Sequence, residues 1–204
     1  AGRMAKAQQA YGAALKVVPG HPRALHLLGV IAHKTGRPGA AVKFISQAIK
    51  RRPRVAVFHN NLGNALRQLG KREASLVAYK RAIALAPKIS EAYTNLGIAY
   101  FELGQIDESL AAHGRALALK PDSMLAKWNT RLTLPALYDS KAAIDRHRKR
   151  WSEGVKALTD DLDLSTPAKA AEAELAVTLM TNFYLNYQGR NDVALQKLYG
   201  GLLD

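Results

Sequence analysis

Residues 56–89 read AVFHNNLGNALRQLGKREASLVAYKRAIALAPKI, and the same order of small and apolar residues returns every 34 residues along the chain. The residues that keep this step are Gly29, Gly63 and Gly97; Leu28, Leu62 and Leu96; Gly36, Gly70 and Gly104; Ala48, Ala82 and Ala116; and Pro19, Pro53, Pro87 and Pro121. A fixed period of roughly 20–50 residues indicates an array of repeated units, each stacked on its neighbours. The sequence therefore predicts a repeat protein.

Each unit has the features of two packed helices. With units numbered from Pro22, Ala56, Ser90 and Met124, glycine at position 8 and alanine at position 27 allow the two helices to approach closely. Glycine at position 15 is expected to end the first helix in the left-handed conformation, and proline at position 32 ends the second. The predicted helices are about residues 2–17, 22–35, 39–51, 56–69, 73–85, 90–103, 107–119 and 124–137.

A period of 34 with Leu-Gly early, a small residue late and a closing proline resembles the tetratricopeptide (TPR) repeat. The resemblance implies an all-α fold, in which a TPR helix-turn-helix solenoid forms a right-handed superhelix followed by an irregular helical connector. We expect residues 1–123 to form the solenoid, with one partial and three full repeats. Residues 124–204 are expected to form capping and connector helices that lead to a C-terminal domain absent from this chain.

Amide side chains recur on the predicted first helices. The residues that we predict to bind peptide are Asn61, Asn64, Gln68, Asn95 and Asn129. Three of them occupy position 6 of successive units, where the first unit has Leu27. Because an amide carries both donors and an acceptor, a row of amides can pair with the backbone of an extended peptide. The alternative is that they cap helices or face solvent, although recurrence at a mid-helix position argues against capping.

The net charge of +14 lies entirely in residues 1–72, which contain no Asp or Glu, whereas all 16 acidic residues lie between 73 and 204. A basic patch is predicted at Lys50, Arg51, Arg52 and Arg54. This asymmetry favours an anionic partner, which could be nucleic acid, an acidic protein or an acidic lipid surface. The alternative is that the patch interacts only with the negative end of its own helix dipole.

Catalytic chemistry is not indicated. There is no Cys, which fits a reducing compartment such as the cytoplasm, and no apolar run or signal-peptide pattern points to a membrane. The six His are dispersed, and Asp160, Asp161 and Asp163 are interpreted as part of a solvated loop. We expect no catalytic residue, no metal site and no cofactor, so that this chain is not itself an enzyme.

The sequence after the repeats gives a second resemblance. Position-6 asparagine in NNLGN and TNLG is similar to the asparagine ladder of O-linked N-acetylglucosamine transferases. The segments LPALYDS, RHRKRWSEGVKAL and FYLNYQGRNDVALQKLYGGLL resemble the region that joins TPRs to the catalytic half in bacterial, SPINDLY-type relatives. The resemblance implies a protein-interaction module that recruits substrates to an attached glycosyltransferase domain, with the ladder role on Asn61, Asn95 and Asn129.

Two other functions remain open at the level of sequence. The chain could bind nucleic acid or an acidic partner electrostatically through residues 1–72, in which case its affinity would fall steeply with salt. It could also be a scaffold that self-associates through one end of the solenoid. Both ends of the chain interrupt helical patterns, which suggests the boundaries of a longer protein.

Overall fold

A computed structural model of the protein describes residues 2–179 and 192–203, and within them all regular structure is helical. The stretch 183–191, which contributes to the second resemblance above, lies outside the described residues. The helices are α1 Gly2–Val17, α2 Pro22–Lys34, α3 Pro38–Arg51, α4 Ala56–Gln68, α5 Arg72–Leu85, α6 Ser90–Glu102, α7 Ile106–Leu119, α8 Met124–Leu132, α9 Lys141–Asp161, α10 Pro167–Leu179 and α11 Val193–Leu203.

The chain divides into two compact units, residues 1–103 and residues 104–204. In the first unit each helix packs on the next, and the first helices of successive repeats, α2, α4 and α6, also contact one another. In the second unit α8 packs against α7, α9 and α10, and α11 packs against α9. The predicted domain boundary after residue 123 is placed where the repeated positions end, whereas the division after residue 103 follows from contacts between residues. The predicted boundary therefore stays a prediction.

Left-handed glycines end the first helices, as the sequence predicts. Gly36, Gly70 and Gly104 have φ angles of 70°, 78° and 74°. After α2 the backbone N–H of Arg37 donates to Ala32 O (2.8 Å), and the next repeat has the equivalent bond from Lys71 to Leu66 O (2.9 Å). These bonds reach back five residues and satisfy carbonyl groups that the helix end leaves open.

The close approach of the two helices within a repeat is also confirmed. A Cβ atom added to Gly63 would lie 2.4 Å from Cε1 of Tyr79, and one added to Gly29 would lie 2.4 Å from Cγ1 of Ile45. Both partners come from the second helix of the same repeat and are fully buried. Because real side chains essentially never approach so closely, only glycine permits this packing.

The second unit has an aromatic core. Trp128 of α8 and Trp151 of α9 are 1% and 0% exposed, and both rings contact Tyr199 of α11. Val155 and Leu158 continue the same face of α9 and are also fully buried.

The prediction of a helix over residues 124–137 is wrong at its C-terminal end, because α8 stops at Leu132. Thr133 is extended (φ −60°, ψ 124°), and the helix ends before Pro135 is reached. The guanidinium group of Arg150 donates to the carbonyl groups of Thr130 (2.9 Å), Arg131 (3.0 Å) and Thr133. A half-buried cation therefore satisfies carbonyl groups at the C-terminal end of α8.

The acidic residues that we interpreted as a loop are also placed differently. Asp160 and Asp161 belong to the last turn of α9, and only Asp163 lies beyond it. Asp161 accepts from Arg131 (2.6 Å), and this hydrogen bond lowers the pKa of its carboxyl group. None of the described helices combines the length and apolar character that a membrane span requires.

Candidate peptide-binding surface

Asn61 lies in the middle of α4 and is hydrogen-bonded to the preceding repeat. Its Nδ2 atom is 2.8 Å from Nε2 of His26 on α2. Burial lowers the pKa of His26 and so favours its neutral form, in which Nε2 accepts the bond when Nδ1 holds the proton. The His26 ring also stacks on Phe58, with 4.5 Å between the ring centroids. The Asn61 amide is therefore held by a buried, neutral histidine.

Asn95 makes the equivalent bond one repeat later. Its Nδ2 atom donates to Oδ1 of Asn60 (3.1 Å), and Nδ2 of Asn60 donates to Oε1 of Glu91 (3.0 Å). An ionised carboxylate can only accept, so Asn60 must present its NH₂ group to Glu91 and its oxygen to Asn95. The donor and acceptor of both amides are thus assigned by the network. Asn60 is 2% exposed, whereas Asn95 is only half-buried.

Asn64 lies one turn after Asn61 on α4. Its Oδ1 atom accepts from the hydroxyl group of Tyr79 (2.8 Å), whose ring fills the space left by Gly63. Tyr79 is fully buried, and burial raises its pKa to about 12, so that its hydroxyl group stays protonated and able to donate. The glycine, the tyrosine and the amide therefore form one local arrangement within the repeat.

The three half-buried asparagines still present polar atoms to solvent. Among the described residues, no protein group bonds to Oδ1 of Asn61, Nδ2 of Asn64 or Oδ1 of Asn95, and none of these atoms is enclosed by the protein. Gln68, at the end of α4, is exposed. Each of the three asparagines thus offers one polar atom, and Gln68 offers an exposed amide, on α4 and α6. This arrangement can pair with the N–H and C=O groups of a peptide backbone.

Asn129 does not share this environment. It is 2% exposed, and its Nδ2 atom is buried with no hydrogen-bond partner in the part of the chain that the structure describes. In the second unit α8 packs against three other helices, which covers the position that Asn61 and Asn95 expose in their repeats. The position-6 pattern in the sequence therefore correctly identifies equivalent backbone positions but not equivalent accessibility.

The predicted basic patch divides between two clefts. Lys50 and Arg51 are in the last turn of α3, where cations favour the helix dipole, and they line a cleft of about 520 Å³ beside Gly20. Arg52 lines a different cleft, between α2 and α4, and Arg54 is exposed in the following turn. Among the described residues none of these four cations forms an ion pair. Their role in binding an anionic partner stays a prediction.

The sequence analysis missed the bonds between repeats because they join different positions. Position 6 of one repeat bonds to position 5 of the repeat before it, so that the partners are 35 residues apart and not 34. Arg67 and Glu102 are likewise 35 residues apart and form an ion pair of 2.6 Å. A search for complementary polar residues at 35-residue spacing could have found these pairs.

Sequence models of the tetratricopeptide repeat match three parts of the chain, residues 1–56, 63–104 and 90–123. Together the matches cover more than half of the sequence. Comparison with curated protein sequences gives no significant match.

Several solved structures are similar to this one. The crystal structure of MamA is 26% identical in sequence, covers 76% of this chain and 88% of its own, and superposes with a TM-score of 0.65. YrrB, described as a TPR protein with an unusual peptide-binding site, is 19% identical over 85% of this chain and 84% of its own, with a TM-score of 0.63. The TPR domain of Arabidopsis OM64 is 25% identical over 63% of this chain and 94% of its own, with a TM-score of 0.51.

The matches agree with the period of 34, the left-handed glycines and the paired helices described above. The sequence-family matches do not include residues 124–204, where the repeated glycine and proline positions also end. The chain therefore contains a tetratricopeptide repeat region.

Proposed function

We propose that this chain is a protein-interaction module that binds extended peptide segments through Asn61, Asn64, Gln68 and Asn95. The observation that carries the proposal is the bonding of the three asparagines, each held by one partner and each with one polar atom open to solvent. Asn129 is left out, because its side chain is buried.

The internal hydrogen bonds favour binding by fixing the amides in advance. A free asparagine side chain loses conformational entropy when a ligand orders it, whereas one already bonded to a neighbour loses little. His26, Asn60 and Tyr79 each hold one asparagine, so the cost of ordering is met when the chain folds. Peptide N–H groups would donate to Asn61 and Asn95, and a peptide carbonyl would accept from Asn64.

Similarity to YrrB is consistent with this function, since that protein is described as having a peptide-binding site. At 19% identity the similarity concerns the fold. The argument for peptide binding by this chain therefore rests on its own amide side chains. Backbone pairing would make the surface tolerant of the peptide's sequence, apart from any contacts made beyond the amides.

The test uses a displayed library of random peptides of about 12 residues, which span roughly 40 Å when extended. We expect the protein to enrich peptides from this library and to bind the consensus peptide in isothermal titration calorimetry. The triple change Asn61→Ala, Asn64→Ala and Asn95→Ala should weaken binding by about tenfold or more, because each amide contributes a hydrogen bond worth about 0.5–1.5 kcal/mol. Equal affinity of the triple variant and the wild type contradicts the proposal.

Gln47→Ala is the matched control, since Gln47 is an exposed amide on the second helix α3, away from the proposed surface. Urea unfolding of every variant separates loss of binding from loss of stability. Removal of the bonds from Asn61 and Asn95 is expected to cost about 1 kcal/mol of stability each, which the unfolding curves will show directly. Asn64→Ala alone keeps both bonds between repeats and should still weaken binding.

A finer proposal concerns the protein that contains this chain. From the resemblance of residues 134–203 to SPINDLY-type transferases, we infer that the module recruits substrate proteins to an attached glycosyltransferase domain in the cytoplasm. The matched families and the structures named above are tetratricopeptide proteins, so this step rests on the resemblance alone. The reading frame beyond Asp204 tests it directly. A second module with nucleotide-sugar-binding lobes supports it, and a stop codon overturns it.

A further inference from the structure

Two open clefts lie on either side of α2 in the first unit. One has a volume of about 480 Å³ and lies between α2 and the start of α4. The other, of about 550 Å³, lies between α1 and α2. His21, Arg23 and Leu27 line both, so the two form one continuous surface. We call this surface the α2 cleft, and the residues that define it are Val18, Arg23, Leu27, Arg52, Val57 and Phe58.

The α2 cleft exposes apolar side chains. Val17 is 82% exposed, Val18 is 50% exposed and Val57 is 45% exposed, which is unusual for large apolar residues that line a concave surface. Leu27 is half-buried, and the buried ring of Phe58 also lines the cleft. A partner's apolar side chain that covers these residues would remove apolar surface from water on both sides.

The charged groups of the α2 cleft have one sign. Arg23 and Arg52 line it together with His21 and His26, and none of the acidic residues that the structure describes does so. Neither arginine forms an ion pair with any described residue. Among the described residues no side chain caps the N-terminus of α4, where Val57 lies, and the positive end of the helix dipole adds to the potential.

These features point to the occupant. We propose that the α2 cleft binds an acidic segment of a partner protein, in which Asp or Glu residues flank an apolar side chain. The carboxylates pair with Arg23 and Arg52, and the apolar side chain packs against Leu27 and Val57. The exposed apolar side chains favour a peptide over nucleic acid, because valine makes no favourable contact with a phosphate group. The ring of Phe58 is buried and stacked on His26, so it is not available to stack on a base.

The inference rests on the proposed function and extends it. His26 lines the α2 cleft and bonds to Asn61, so the cleft adjoins the amide surface. Leu27 occupies position 6 in the first repeat, where the next two repeats have the binding asparagines. A peptide that pairs its backbone with Asn61 and Asn95 would thus reach an apolar and cationic site at Leu27 in place of a further amide.

The test examines what the peptide library described above selects. Wild-type protein is expected to enrich peptides in which Asp or Glu flank Leu, Ile, Val or Phe. The affinity of a fluorescein-labelled consensus peptide, measured by anisotropy, should fall about tenfold or more in Arg23→Gln/Arg52→Gln, because each lost charge-assisted bond is a strong one. Val57→Ser should weaken binding several-fold through lost apolar contact.

The control variants are Arg81→Gln and Val77→Ser, because both residues are exposed on α5 and neither lines the α2 cleft. We expect both to leave the affinity unchanged. The inference is overturned if the library yields neutral or basic consensus peptides, or if the arginine and valine variants bind the consensus peptide as the wild type does. Displacement of that peptide by a single-stranded oligonucleotide that binds more tightly also overturns it, in favour of nucleic acid.

If the asparagines do not bind peptide, the result differs from the one expected when only the α2-cleft inference fails. In that case the triple amide variant keeps the wild-type affinity for the selected peptide. An acidic, apolar consensus whose affinity depends on Arg23 and Arg52 but not on the asparagines would retain the α2 cleft as a binding site and reject the amide surface. A neutral consensus whose affinity depends on the asparagines would do the reverse.

Discussion

Residues 2–103 and residues 104–203 both bury helices against helices, but they use different side chains to do so. The first unit packs small residues at fixed intervals, with Ala41, Ala48, Ala65 and Ala82 all fully buried. Polar bonds between repeats then join positions 35 residues apart. The second unit begins with the same small residues, Ala112 and Ala116 of α7, and then changes to an aromatic core around two tryptophans.

The difference shows what limits each kind of packing. Glycine and alanine allow helices to approach at a spacing that every repeat can reproduce, so repeats can be added without changing the interface. Trp128 and Trp151 fill an irregular space that no further repeat could share. Their large buried surfaces provide more stabilisation per residue than alanine does. The aromatic core therefore suits a segment that ends an array.

The largest expected effect comes from removing the aromatic core. Trp151→Ala should lower the free energy of unfolding by about 3–5 kcal/mol, because the side chain is fully buried and its loss leaves a cavity. Urea unfolding followed by circular dichroism measures the loss. Hydrogen exchange should show that amides of α8 and α9 lose protection first.

Leu137→Ala is the control, since Leu137 belongs to the same unit and is 89% exposed. It should change the free energy of unfolding by less than about 0.5 kcal/mol. Equal losses for the two variants would mean that Trp151 does not support the second unit.

Buried histidines provide a second contrast between the units. His26 is hydrogen-bonded to Asn61, whereas His113 of α7 is 2% exposed and its Nδ1 atom has no hydrogen-bond partner among the described residues. Burial lowers the pKa of His113 from 6.5 to about 4. Since the unfolded chain takes up the proton at higher pH than the folded one, stability should fall as the pH drops from 6.5 to about 4.

The expected loss from His113 over this interval is about 3 kcal/mol, at about 1.4 kcal/mol for each unit of pKa difference. His113→Leu should remove this part of the pH dependence and leave stability near pH 7 unchanged or improved, because an unpartnered buried nitrogen is replaced by an apolar group. Urea unfolding of both proteins at pH 7 and at the acidic end of the interval tests it. A pH dependence identical in the two proteins would falsify the assignment to His113.

A smaller effect is expected from closing the helix contact within a repeat. Gly63→Ala should cost about 1–3 kcal/mol, because the added Cβ atom would overlap the ring of Tyr79. Gly114→Ala is the matched change on α7, where a Cβ atom meets nothing within 4 Å. It should raise stability by about 0.5–1 kcal/mol through helix propensity. Thermal unfolding compares the two, and a loss of the same size in both would rule out the steric explanation.

The sequence predicts the first seven helices to within one residue at each end, because glycine and proline act locally on the backbone. It also predicts the glycine contacts of Gly63 and Gly29, which follow from steric size. It does not predict which amides stay accessible. Asn61 and Asn129 occupy the same position of their repeats, and only the packing of other helices on α8 distinguishes them. That packing depends on residues distant in the chain and without the period of 34.

The bonds between repeats have a consequence for engineering. An array built by copying residues 56–89 in tandem would keep an Asn60-to-Asn61 pairing at every junction, since the copy supplies both amides. The following copy would, however, have Val57 at the position of Glu91, which now accepts a hydrogen bond from Asn60. It would have Gln68 at the position of Glu102, which now forms an ion pair with Arg67. Each junction would lose the carboxylate that orients Asn60 and the carboxylate that pairs with Arg67. A designed array of this repeat therefore needs an acidic residue in place of Val57 and of Gln68 in every copy.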